Sequence, residues 1–251
     1  MRIAQILQME DEKLTREHSF AFPDDTIRFE NVSFSYPGSA ITLNKINCHI
    51  PVHKHTLLVG SSGAGKTTFL RLLERLYEPV SGKIMIGDVD ASTIHLNEWR
   101  DSFSVIPQNS ALMDGSLKEN ILYGINTEVS KSCMDEVMDM VNIKDLASIK
   151  ESDDVNIRDL SDKFSGGEKQ RIALARMIIR DPEYLVLDEA TANLDIMNVA
   201  IVKKAINQIK EGRTVIEVTH NMADCKEADH VIYLRKGHVE AEGSHEELYE
   251  K

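Results

Sequence analysis

"VGSSGAGKTTFLRLL", Val59 to Leu73, decides the fold. The apolar run "HTLLVG" leads into it and the amphipathic run "TTFLRLL" leads out. Gly60 to Thr67 fits G-x-x-x-x-G-K-[ST], the pattern of a strand, a phosphate-cradling loop and a helix. Glycines let successive N–H groups turn inward without a Cβ clash, and the helix N-terminus adds partial positive charge. Gly60, Ser61, Ser62, Gly63, Ala64, Gly65 and Thr68 are read as nucleotide-binding. Lys66 reaches the outer phosphates, and the Thr67 hydroxyl ligates Mg²⁺. The competing reading, a tight turn that happens to contain Gly-Lys, has to explain why a strand enters and a helix leaves.

Apolar strands alternate with helices along the rest of the chain, which indicates a parallel sheet wrapped by helices. Period-two alternation marks a strand from Ile27 to Tyr36, and "LNKINCHI" is a further strand candidate. The helix after the glycines is expected to run to about Tyr77. "LNEWRDSFSVIPQ" reads as a short helix and a strand ending at Pro107–Gln108. Residues 116–150 read as mostly helical, with Val137, Val141 and Leu146 among the apolar positions. "EYLVLDEA" and "TVIEVTH" are apolar strands, "NVAIVKKAINQIKEG" a helix closed by Gly212, "HVIYLRKGHVEAEG" a hairpin and "SHEELYEK" a last short helix.

Two acids, Asp188 and Glu189, close the strand "YLVLDEA". Carboxylates at the C-terminal edge of a parallel strand lie where ligands bind in such sheets. Asp188 is placed to hold Mg²⁺ and Glu189 to orient or deprotonate an attacking water. A serine and two glycines in "FSGGEKQR", Phe164 to Arg171, open a helix and form a second anion site. One nucleotide does not need two clamps, so the second points to a nucleotide held by another copy of the chain.

The totals bound the rest. The chain has 251 residues, a formal charge of -12 and 42% hydrophobic residues. An acidic surface argues against generic binding to nucleic-acid backbones. Cys48, Cys133 and Cys225 are odd in number with no CxxC, as expected of free thiols in a reducing compartment. No apolar run is long enough to span a membrane, and the N-terminus does not read as a signal peptide. His49, His53 and His55 raise a metal reading, with His53 and His55 on one strand face, but no cysteine or acid pattern completes a site there. Glu240 to Glu250 reads as a solvated acidic face.

Taken together, the motifs resemble the nucleotide-binding domain of an ABC transporter, from about residue 27 to 251. "GSSGAGKTT" resembles Walker A, "YLVLDEA" resembles Walker B with its catalytic glutamate, and "FSGGEKQR" resembles the signature, usually LSGGQ. "ANLD", ending at Asp195, resembles the D-loop, Gln108 the Q-loop and His220 the switch histidine. Tyr36 resembles the aromatic that stacks on adenine. The resemblance implies an α/β P-loop NTPase (RecA-like) core, an N-terminal antiparallel β subdomain, and an inserted helical subdomain at roughly 109–175 that carries the signature. It implies ATP and Mg²⁺ as cofactors, and Glu189, His220, Lys66 and Gln108 as catalytic residues. Thr67, Gln108 and Asp188 are the implied metal ligands. Ser165, Gly166, Gly167, Glu168 and Asp195 are implied to contact a nucleotide across a head-to-tail homodimer.

The signature departs from the family in Phe164 and Glu168. The T-x-V-G-E-x-G stretch common in exporters is replaced by "VNIRDLS", with Asp159 at the glutamate position. "MDGSLKENILYG" and the N-terminal tail resemble exporters whose membrane and ATPase domains share one chain. Residues 1–26 then read as a linker from an upstream membrane domain, and the domain belongs on the cytoplasmic face of the membrane. The alternatives are a separate ATPase subunit of an importer or other multi-chain transporter, a soluble relative acting on nucleic acid or ribosomes, and a nucleotide sensor without turnover.

Overall fold

A computed structural model describes residues 25–125, 127–144, 164–192 and 194–249. Residues 1–24 of the linker expected over 1–26, Leu146, the "VNIRDLS" stretch and the end of the acidic tail lie outside these residues. The two-period pattern of the N-terminal stretch becomes β1 (Ile27–Phe34), which buries Ile27 and Phe29, then Val32 and Phe34. The phase changes at Asn31, whose φ of 52° marks a bulge where the register against both neighbours shifts. β1 pairs antiparallel with β2 (Leu43–Ile50) and β4 (Ser81–Ile86), and the short β5 (Val89–Asp90) completes a sheet of order β2-β1-β4-β5.

The near-continuous apolar runs form the second sheet. β3 (His55–Val59), β7 (Tyr184–Asp188) and β8 (Thr214–Thr219) are buried almost throughout, as strands covered on both faces must be. With β6 (Phe103–Ile106), β9 (His230–Arg235) and β10 (His238–Gly243) they stand in the order β10-β9-β3-β8-β7-β6. All pairs are parallel except β10–β9, a hairpin turned at Lys236 and Gly237, which both have positive φ.

The helix after the glycines, α1 (Lys66–Leu73), is shorter than expected. The chain turns left-handed at Arg75, φ 51°, and groups from elsewhere satisfy the carbonyls at the helix end. The Trp99 indole N–H donates to Leu73 O at 2.7 Å, and Arg100 donates to Arg75 O at 2.8 Å. Both donors belong to the segment of α2 (Leu96–Asp101), so the stop is tertiary.

The stretch read as mostly helical contains two separate helices among the described residues. α3 (Leu117–Ile121) starts on a capping box between Ser116 and Glu119, and α4 (Lys131–Met140) starts on Ser130. The buried Asn120 side chain donates to Met113 O and Ser116 O and fixes the loop ahead of α3. α5 (Gly166–Arg180) packs on this region, and α6 (Ile196–Ile209) and α7 (His245–Tyr249) follow. α6 begins earlier than its apolar pattern suggests because Asp195 caps it.

Hydrophobic side chains gather into two large clusters. One joins the antiparallel sheet to α1 and Trp99, and the other joins α3, α4, α5 and α6 to the far side of the core sheet. The phosphate-loop helix and the signature helix are thus anchored in different bodies of core. No helix among the described residues is long and apolar enough to cross a membrane.

Candidate active site

β3 delivers the glycine loop to the C-terminal edge of the core sheet. A Cβ on Gly60 would lie 2.3 Å from Leu234 O, and one on Gly65, φ 108°, would lie 2.6 Å from Leu43 Cδ2. Only glycine fits against these neighbours, which press the loop into shape from β9 and β2. The Lys66 side chain curls back over the loop and donates to Gly60 O at 2.9 Å and Ser61 O at 3.2 Å. Burial pushes the Lys66 ammonium below its usual pKa, while Glu189 and Asp188 pull it the other way. Ser61, Ser62, Gly63 and Thr67 face solvent, whereas Ala64 and Thr68 are buried.

β7 delivers Asp188 and Glu189 to the same edge, beside β8. Asp188 titrates above the usual carboxylate range because of burial and then the Glu189 charge, with Lys66 and Arg71 opposing. Glu189 adopts φ 51°, a left-handed conformation that a non-glycine residue keeps only when its surroundings hold it. Its N–H donates to Val218 O at 3.1 Å. One carboxylate oxygen accepts from the Gln108 amide at 2.7 Å, and the other lies 2.5 Å from His220 Nε2. Three residues from three strand ends, expected separately from sequence, therefore meet at one carboxylate. His220 follows β8 directly, and the chain beyond it is pinned because Asn221 N and Asp224 both bond the Thr219 hydroxyl.

A cleft of about 300 Å³ lies beside the glycine loop and His220, lined by Gly60, Ser61, Thr219, His220, Met222 and Tyr233. A larger cleft, about 450 Å³, sits at the opposite ends of the strands around Asp181, Tyr184 and Thr214. The smaller one is the better site. It lies at the carboxyl ends of parallel strands, where ligands bind in such sheets, and it is bounded by the glycine loop and His220.

Tyr36 is half-buried beside α1. Its hydroxyl lies 3.2 Å from Thr68 Oγ1 and accepts from Arg71 at 3.0 Å. Phe34 and Tyr77 both meet its ring at near right angles, 86° and 87°, so neither stacks flat on it. The Arg71–Tyr36 bond, between residues 35 apart, carried no signal in the sequence.

The second clamp forms a unit of its own. Ser165 caps α5, and its side chain accepts from Glu168 N at 3.2 Å. The Glu168 carboxylate in turn accepts from Ser165 N at 2.7 Å. The glutamate that replaces the family's glutamine thus closes a capping box. Phe164, the other departure, is buried in the second core cluster. A Cβ on Gly167 would lie 2.5 Å from the Asn198 amide. Asn198 accepts from Arg171 and bonds Asp195, which links the signature helix to the start of α6. Sequence reading passed over Asn198, although its position three residues after an acidic N-cap is a detectable signal.

The histidines next to β2 separate. His53 lies in a turn at φ 55° rather than on a strand, so it shares no face with His55. His55 Nε2 meets Glu217 at 2.9 Å. Cys48 and Cys225 are buried free thiols and Cys133 an exposed one.

Residues 43–192 match the model of the ABC transporter family, a span that includes the glycine loop, Gln108, the signature and Asp188–Glu189. The chain belongs to the ABC transporter family. It carries that family's ATP-binding domain; Tyr36, Asp195 and His220 lie outside the matched span. The chain is 37% identical over 238 residues to an ABC multidrug transporter, mdr4, of Aspergillus fumigatus, covering 91% of this chain and 17% of the relative. It is 31% identical over 248 residues to a multidrug resistance ABC transporter ATP-binding and permease protein of Lactococcus lactis, covering 98% and 42%. Among solved structures it resembles a bacterial Atm1-family ABC exporter with ATP bound, with a TM-score of 0.84 and 28% identity, over 99% of this chain and 44% of that one. The chain spans less than half the length of these relatives.

Proposed function

We propose that this chain is the ATP-hydrolysing domain of an ABC exporter, and that MgATP closes it head to tail on a second copy to drive a membrane domain. The observation that carries the reading is the Glu189 carboxylate held between Gln108 and His220 at the mouth of the glycine loop. Loop N–H groups and Lys66 bind the phosphates. Glu189 takes a proton from the attacking water, and His220 holds Glu189 and the water in line. The Thr67 hydroxyl, the Asp188 carboxylate and the Gln108 amide oxygen are the hard oxygen donors that Mg²⁺ selects. Bound Mg²⁺ would neutralise phosphate charge during transfer. A cation beside Asp188 would also oppose the effect of burial and of the Glu189 charge, which raise its pKa.

Three features support a partner copy. Ser165 and Gly166 are exposed at a helix N-terminus, an anion site that the chain's own loop does not need. Asp195 is exposed next to Ile196 and Met197, which are 89% and 75% exposed. Met222, beside His220, is also exposed. Large apolar side chains bared around polar site residues are expected where a protein partner closes. The exporter assignment rests on the relatives, one an ATP-binding and permease protein and one an exporter. A membrane domain attached to this one, a place at the cytoplasmic membrane face, and a drug, peptide or lipid as cargo follow from that assignment.

The test is steady-state phosphate release from ATP. Wild type should turn over only with Mg²⁺, and Glu189→Gln should lose about 10²-fold or more in rate. ATP binding should persist in the variant. Turnover retained by Glu189→Gln would refute the assignment.

A further inference from the structure

The structure assembles a second polar cluster well away from the glycine loop. His49 sits near the end of β2, six residues along the strand from Leu43, the neighbour of Gly65. At a strand rise near 3.3 Å per residue this is about 20 Å. His230 opens β9, and Glu242 lies near the end of β10. One carboxylate oxygen, Glu242 Oε1, lies 2.6 Å from His49 Nδ1 and 3.1 Å from His230 Nε2, and accepts from His49 N at 2.7 Å. The two imidazole rings are 4.6 Å apart, and all three donor atoms lie within 4.8 Å of one another. The side chains grade from buried to open: His230 is 8% exposed, Glu242 20% and His49 49%.

We propose that His49, His230 and Glu242 form a binding site for one Zn²⁺ ion, which ties the antiparallel sheet to the β9–β10 hairpin. Two imidazole nitrogens and one carboxylate oxygen are a donor set that zinc takes, with water in a fourth position. The half-exposed His49 leaves a route for the ion and for that water. Bonds of about 2.0–2.1 Å set tetrahedral donors roughly 3.4 Å apart. The two pairs that involve Glu242 therefore open by less than about 1 Å, and the two histidine nitrogens, within 4.8 Å of each other, close by at most about 1.4 Å, changes within side-chain reach. An ion there needs the ligating nitrogens, His49 Nδ1 and His230 Nε2, free of protons, so each neutral ring carries its N–H on the other nitrogen while Glu242 ligates as the carboxylate. The hydrogen bonds of Glu242 overcome its burial and hold it ionised already. The competing account is a hydrogen-bonded triad that only satisfies the buried His230, and it predicts no metal uptake.

The experiment is equilibrium dialysis of the full, untagged chain against Zn²⁺ without nucleotide, with bound metal counted by atomic emission. Melting curves are recorded in parallel. The proposal predicts one tightly held Zn²⁺ per chain and a higher melting temperature with Zn²⁺. His49→Gln and Glu242→Gln should each weaken uptake at least tenfold and lose the thermal shift, and the exposed His238→Gln should change neither. His49 is half-exposed on a strand, so its variant should fold, and the metal-free melting curve verifies this. No tightly bound zinc in the wild type, or equal affinity in His49→Gln, would overturn the proposal. Loss of binding in Cys133→Ser instead would place the ion elsewhere and overturn it as well.

Discussion

Replacing Tyr36 separates the two things its side chain does. The hydroxyl joins Thr68 and Arg71 on α1, and among the described residues no aromatic neighbour stacks flat on the ring. If the ring is the base platform, Tyr36→Phe keeps it and loses only two partly exposed hydrogen bonds. Those are each worth about 0.5–1.5 kcal/mol, expressed in stability more than in affinity. Tyr36→Ala removes the platform. Stacking on a base contributes about 1–3 kcal/mol, which at 1.4 kcal/mol per decade is a loss of roughly 5- to 150-fold. Titration calorimetry with ATP and Mg²⁺, alongside melting curves for both variants, should show affinity within about threefold for phenylalanine and at least tenfold weaker for alanine. Equal affinity in alanine and wild type would remove Tyr36 from the site. A phenylalanine variant as weak as alanine would move the role from the ring to the hydroxyl and its bond to Arg71.

Two further outcomes follow from the structure. Burial and the nearby Asp188 charge raise Glu74 to about 7 from an ordinary 4.5, so the folded state holds a proton there that the unfolded chain gives up. Stability from this group is present below about pH 4.5 and is lost as the pH rises through 7. Glu74→Gln should therefore raise the melting temperature at pH 8 and change it little at pH 4.5. The gain should be on the order of 1–2 kcal/mol after discounting for the partial exposure of Glu74; an equal gain at both pH values would refute the cause. Trp99→Phe leaves Leu73 O without its indole donor, so urea unfolding should show a loss of about 1–3 kcal/mol. An unchanged midpoint would mean α1 does not depend on that bond.

What sequence could and could not supply divides along chain distance. The phosphate loop was legible because its pattern is local: the glycines, Lys66 and Thr67 stand within eight residues. The Walker B acids and Ser165 were legible for the same reason, each sitting at an element boundary with its own chemistry. The end of α1 was not, because the groups that stop it, Trp99 and Arg100, come from another segment. Helix propensity alone carries the pattern on to Tyr77. The break between α3 and α4 was missed although Ser116 and Ser130 are ordinary caps, because apolar residues recur at helical spacing across the gap. Gln108 and His220 were assigned by family likeness and Glu189 from its strand end, and their convergence required the order of β6, β7 and β8. The His49 cluster shows the same limit: its partners lie about 180 and 190 residues further along, brought together only where the β9–β10 hairpin meets β2, and the sequence reading found no cysteine or acid pattern to complete a site there.

The account's central claim is that the complete site needs a second copy of the chain. It is tested most directly by the mass in solution of Glu189→Gln, by light scattering after size exclusion, with and without MgATP. With hydrolysis blocked, a monomer without nucleotide should become a dimer with it. Adding Ser165→Arg, which places a bulky side chain at the exposed cap of α5, should abolish the shift while leaving ATP binding in place. A monomer in MgATP would contradict the claim, as would a dimer that forms equally well without nucleotide or with Ser165→Arg.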